Sequence, residues 1–136
     1  MIRVTGLREW FTETLNDVDV QELTRAYVID VLSTLKPKDD MHNESIVLAY
    51  YNACNVGEFV KFKHIGDWVL WADTFVPQVL SSSHDVVESM GRLSYYACHR
   101  ILRRQWPIFE ELADDMPRIV HRVRRAITNK RSIVQL

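Results

Sequence analysis

His84 and Glu88 stand four residues apart, a spacing that puts both side chains on one face of a helix and within reach of one metal ion. His42 with Glu44, and His64 with Asp67, are looser groupings of the same kind. Helical bundles build di-metal centres from a pair of Glu-x-x-His motifs, and no Glu-x-x-His occurs here. Cys98 and His99 do not chelate together on a helix, because adjacent residues point about 100° apart. The reading adopted has no metal and no cofactor, with each histidine a partly exposed hydrogen-bonding residue. Residues 81–85 (Ser-Ser-Ser-His-Asp) hold the three residue types of a nucleophilic triad, but triad members normally come from separate elements. A helix start capped by serine, with Asp85 and Glu88 complementing its positive end, is the simpler account. There is no glycine-rich phosphate loop.

Aromatic residues offer a second chemistry. Trp68, Trp71, Tyr95 and Tyr96, with Tyr50, Tyr51 and Phe75, have the character of a ligand-pocket lining, and Asp67 or Asp73 would be its polar anchor. At helical spacing the same residues are more simply core, and Asp67 beside Gly66 is more simply a helix N-cap.

Arginine carries the strongest signal. Residues 1–90 hold 7 Lys/Arg and 14 Asp/Glu, a net of −7; residues 91–136 hold 10 and 4, a net of +6. Arg118, Arg122 and Arg125 share one stripe of a last helix, with Arg124 on the adjoining stripe. Arg100, Arg103 and Arg104 cluster on the helix before it, with Arg92 two turns earlier. Together they make a basic C-terminal face suited to carboxylates or phosphates. Three destinations exist: the chain's own acidic N-terminal segment, an acidic surface on a protein partner or a second copy, and nucleic acid. The near-neutral total argues against nucleic acid.

The elements that position these groups read as helices. With 4 Gly and 4 Pro in 136 residues, turns are too few for a sandwich or barrel. Residues 7–15 form a short helix anchored by Trp10 and Phe11. Asp19 and Glu22 have capping-box spacing before a second helix bearing Val20, Leu23, Tyr27, Val31 and Leu35, with Val28 and Leu32 widening the stripe. That helix ends before a polar loop at residues 37–40. A third helix, residues 43–63, is apolar almost all round and is expected to be the central one, with Gly57 admitting a close neighbour. A break at residues 64–67 precedes the aromatic segment. A fifth helix carries Val86, Met90, Leu93, Ala97 and Ile101 inward. Ile108, Phe109, Leu112 and Met116 follow, then Pro117 kinks or restarts the helix. The last face is Ile119, Val120, Val123, Ala126 and Ile127. Cys54 and Cys98 are expected to be reduced and buried.

The order Ile65-Gly66-Asp67-Trp68-x-Leu70, Phe75-x-Pro77, Gly91 followed by Tyr95, and Phe109-x-Glu111-Leu112 resembles an uncharacterised family of small all-helical bacterial proteins. The pattern is Gly-Asp-x-x-Leu, a Phe-Pro turn and Gly-x-x-x-Tyr. The chain departs from it at Ala72-Asp73-Thr74, where smaller residues are usual. The resemblance implies an α-helical fold and a bacterial or phage setting, and it carries no catalytic residue.

These observations lead to one all-α domain over residues 1–136, a five- or six-helix bundle around a buried central helix. No apolar run approaches the ~20 residues that span a bilayer, and residues 1–6 lack the basic-then-apolar pattern of a signal peptide, so no membrane partner and a cytoplasmic setting are expected. The functional expectation is a non-enzymatic protein-interaction or assembly subunit whose basic face meets an acidic surface. A nucleic-acid-binding helical module is the second reading, and a metal- or small-ligand-binding bundle enzyme the third.

Overall fold

Two glycines set the centre of this protein. A Cβ on Gly66 would lie 2.7 Å from the Tyr95 ring, and a Cβ on Gly91 would lie 2.7 Å from Val69 Cβ. The helices that carry them therefore pack backbone against side chain, closer than any larger residue allows. The computed structural model describes residues 6–35, 43–77 and 84–134. Among them are six helices: α1 (Leu7–Thr14), α2 (Glu22–Thr34), α3 (Asn43–Val56), α4 (Phe59–Phe75), α5 (His84–Ile101) and α6 (Pro107–Val134). The fold is an all-α bundle. Its tightest pair is α4 with α5, and α4 also touches α2, α3 and α6.

The central helix is α4 rather than residues 43–63. Gly57, at φ +72°, turns the chain between α3 and α4, and open space surrounds it where a close neighbour was expected. No break occurs at residues 64–67. Helix α4 runs through them and buries Ile65, Gly66, Asp67, Trp68, Val69 and Leu70 in succession. The all-round apolar pattern of residues 46–60 reflects two helices read as one. Leu48, Tyr51 and Val60 are 65%, 66% and 70% exposed.

Helix α5 is shifted from its expected face, although Ala97 is buried and Met90 packs on the core as expected. Val87, Gly91, Ser94, Tyr95 and Cys98 are buried, whereas Val86, Leu93 and Ile101 are exposed. In α2, Val28, Val31 and Leu32 are buried as expected, but Leu23 is exposed and Thr24 turns inward. The Asp19–Glu22 capping box does not form. Gln21 is the N-cap, and its N–H donates to the Glu111 carboxylate at 3.2 Å. Cys98 is buried but Cys54 is exposed, and both are free thiols.

The inward face of α6 matches expectation, with Ile108, Phe109, Leu112, Met116, Ile119, Val120 and Val123 buried. Pro117 kinks it: Asp115 leaves helical geometry at φ −117°, ψ 15°. Proline has no N–H to give the carbonyl four residues back. That carbonyl, Ala113 O, accepts from Arg92 Nε at 2.7 Å, and Asp114 O accepts from Arg92 Nη2 at 3.1 Å. Arg92 thus belongs to the kink and not to a basic face. Residues 37–40, residues 81–83, His42 and the expected docking of Ile133, Val134 and Leu136 lie outside the residues and side chains described.

Candidate functional site

Helix α5 ends at Ile101, so Arg103 and Arg104 sit in the α5–α6 turn and not on a helix face. Both adopt the left-handed region, at φ 54° and 61°. Arg103 N–H donates to Arg100 O at 3.0 Å, and Arg104 N–H to His99 O at 2.8 Å. Two consecutive non-glycine residues there cost about 1–2 kcal/mol each. The end of α5 and this turn leave Arg100, Ile101, Arg103, Arg104 and Trp106 exposed. Trp106 was not singled out from the sequence, because a lone tryptophan before Pro107 carries no periodic signal.

The other arginines are divided. Arg118 pairs with Asp115 at 2.9 Å. Arg122 donates to Asp19 O at 2.7 Å and lies 3.4 Å from its carboxylate. Lys130 lies 3.7 Å from Glu13. Asp17 and Arg125 line the same shallow groove between the N-terminal segment and α6. The acidic N-terminal segment therefore meets the basic last helix within one chain. These pairs are exposed, and such pairs contribute about 0–1 kcal/mol each. Arg100, Arg103, Arg104, Arg124 and Arg125 are exposed and join none of the ion pairs among the described residues. Arg118 lies roughly 16 Å along α6 from its start, so the seven arginines form two patches and not one face.

Helix α3 packs on α4 and α5, and its Tyr50 lies near Arg100 in the last turn of α5. Burial, and then its contact with the Cys54 thiol, raises the Tyr50 phenol, while the nearby Arg100 charge works against that rise. From Ser45 to Gly57 the chain has no charged residue. Yet Leu48, Tyr51, Asn52, Cys54, Asn55 and Val56 face outward. Tyrosine-bearing surface without charge is characteristic of the covered centre of protein interfaces.

Among the described residues these aromatic side chains take separate places. Tyr95 is fully buried and packs on Tyr27 and Phe109, with ring centroids 6.3 and 5.9 Å away. Trp68 is buried, and its Nε1 has no hydrogen-bond partner among the described residues. Trp71 packs on Phe75, which meets Phe11 of α1. Tyr96 faces outward beside Leu93 and Arg92.

Asp67 is no N-cap. Its Oδ1 accepts from Tyr27 at 2.5 Å and Tyr95 at 2.8 Å, and its Oδ2 pairs with Lys63 Nζ at 2.8 Å. Burial, followed by the Asp67 charge, pushes both phenols above their usual value and the Cys98 thiol up to about 12. Each folded value exceeds the unfolded one, so this stabilisation is whole below the unfolded value and is lost as pH rises. For Cys98 the loss runs from about 9 to about 12, and for the tyrosines it begins near 10. Denaturant unfolding is expected to show stability falling by up to about 1.4 kcal/mol per pH unit per group in that range. Cys98→Ala should remove the part that begins first. A flat profile to about pH 11 would contradict the account.

Asp73 of α4 and His84 and Glu88 of α5 also come together. His84 Nε2 is 3.0 Å from Asp73 Oδ1 and 3.9 Å from Glu88 Oε2. The hydrogen bond to Asp73 raises the His84 pKa, and burial, then the Asp73 charge, raises that of Glu88. The sequence showed His84 with Glu88 but not Asp73, which arrives from another helix. His64 is exposed while Asp67 is buried, and Cys98 and His99 face different partners, Phe59 O and Glu110.

The fold and these sites define an all-α bundle with a basic, strained turn between α5 and α6. Compared with protein-family models, curated proteins and solved structures, the chain matches none.

Proposed function

We propose that this chain is a non-enzymatic assembly subunit that joins a second copy of itself through the α5–α6 turn and the outward face of α3. The observation that carries this reading is the turn. Backbone strain at two adjacent arginines persists there, and such strain is concentrated at functional sites. Arginine and tryptophan, the residues the turn exposes, dominate the energetics of protein interfaces. An acidic surface for it is offered by the other copy, where Glu9 and Glu22 are exposed. Contact between a basic turn and an acidic first half is head-to-tail, which closes into rings or extends into filaments.

Light scattering on the full chain tests the reading. A mass above the monomer is expected, falling as salt screens the contact. Trp106→Ala with Arg103→Glu should weaken association by at least about 2 kcal/mol, some 30-fold. A strictly monomeric chain at high concentration would sink self-assembly. Salt-steep binding of generic DNA or RNA, lost in the same variants, would favour the nucleic-acid reading instead.

A further inference from the structure

We propose that Asp73, His84 and Glu88 form a binding site for a divalent first-row transition ion. The site is built by two helices. Asp73 lies in the last turns of α4, His84 begins α5, and Glu88 follows one turn later on the same face. One donor atom from each residue lies within 4.8 Å of the other two. Ligands at about 2.0–2.2 Å from a tetrahedral ion stand about 3.3–3.6 Å apart. The observed separations of 3.0 and 3.9 Å fall on either side of that spacing.

Charge and burial favour a cation. Asp73 is 5% exposed and Glu88 16%, so two carboxylates converge where water screens them little. Even a protonated imidazole leaves this group net negative. His84, at 39% exposure, marks the open side, where water or a further ligand would take the remaining position. An imidazole with two carboxylates suits Zn²⁺, Mn²⁺ or Fe²⁺ better than Mg²⁺ or Ca²⁺, which take oxygen ligands. This site lies apart from the assembly surface and does not depend on it.

Calorimetric titration of the full chain with Zn²⁺ alone is the test. One ion per chain is expected, with Mg²⁺ giving no heat of binding at comparable concentration. Asp73→Asn and Glu88→Gln should each weaken Zn²⁺ by at least about tenfold, the loss that removal of even an outer-shell group produces. His64→Ala, which alters an exposed histidine away from the site, should change nothing. Co²⁺ in place of Zn²⁺ should give visible absorption that both variants lose. Absence of Zn²⁺ binding, or affinity unchanged in both variants, would overturn the site. If Asp73→Asn fails to fold by circular dichroism, Glu88→Gln decides the question, because Glu88 is the less buried of the two.

Discussion

Asp67→Ala should lower folding stability by about 3–5 kcal/mol, the cost of removing one partner from a buried charged network. The size of the loss comes from the tyrosines. Both phenol hydroxyls donate to the same carboxylate oxygen, and Tyr95 is fully buried, so its O–H would have no partner once Asp67 is gone. Each such unmet donor costs about 1–3 kcal/mol. The ion pair with Lys63 adds little, because Lys63 is 39% exposed and can turn to water. Asp67→Asn should fall between the wild type and Asp67→Ala, since it keeps an accepting oxygen for the tyrosines but turns an amide toward Lys63. Urea unfolding of the three proteins measures the difference. A loss under about 1 kcal/mol for Asp67→Ala would show that water replaces the carboxylate and that the network does not hold α2, α4 and α5 together.

Gly66→Ala and Gly91→Ala form the second large effect, with an expected loss of about 1–3 kcal/mol each from overpacking. Helix propensity alone would predict the reverse sign, a gain of about 1 kcal/mol for alanine over glycine. The contacts decide which wins. At Gly91 the new methyl meets Val69 Cβ and Cγ1, both at 2.7 Å, and Val69 is fully buried. A Cβ cannot move without its backbone, so α4 and α5 must separate. At Gly66 the methyl meets three atoms of the Tyr95 ring at 2.7–2.8 Å, and moving the ring disturbs its bond to Asp67. Gly91→Ala should therefore be the costlier of the two, because a ring can tilt where a Cβ is fixed to its backbone. Thermal unfolding provides the check, and a raised Tm in either variant would mean that the helices do not approach as closely as described.

Much of the last third of the chain was legible in the sequence. Ile108, Phe109, Leu112, Met116, Ile119 and Val123 repeat at helical spacing, and Pro117 announces its own kink because it lacks an N–H. The middle of the chain was not legible, for a physical reason. Gly57 and Gly66 look alike in sequence, yet one turns the chain at positive φ and the other admits a tyrosine ring in mid-helix. Local pattern does not separate a glycine needed for its backbone from one needed for its missing side chain. The face of α5 was misplaced for a related reason. Its core positions include Gly91, Ser94 and Cys98, small residues that follow from the closeness of α4 and not from apolar periodicity. Of the sites, the arginines were visible but their destinations were not. Arg92, Arg118 and Arg122 find partners in the same chain through a kink, a helix turn and a segment about a hundred residues away. Asp73 with His84 and Glu88 needed two helices to be set side by side first.

Helix α3 buries Ile46 and Ala53 against its neighbours, which are α4 and α5, and leaves its uncharged side outward. A 14-residue helix is marginal by itself in water, so α3 persists by packing on those neighbours. In the proposed assembly a second copy would cover the other side. Covering the helix and keeping it folded then become one linked equilibrium, in which protein concentration sets how often α3 opens.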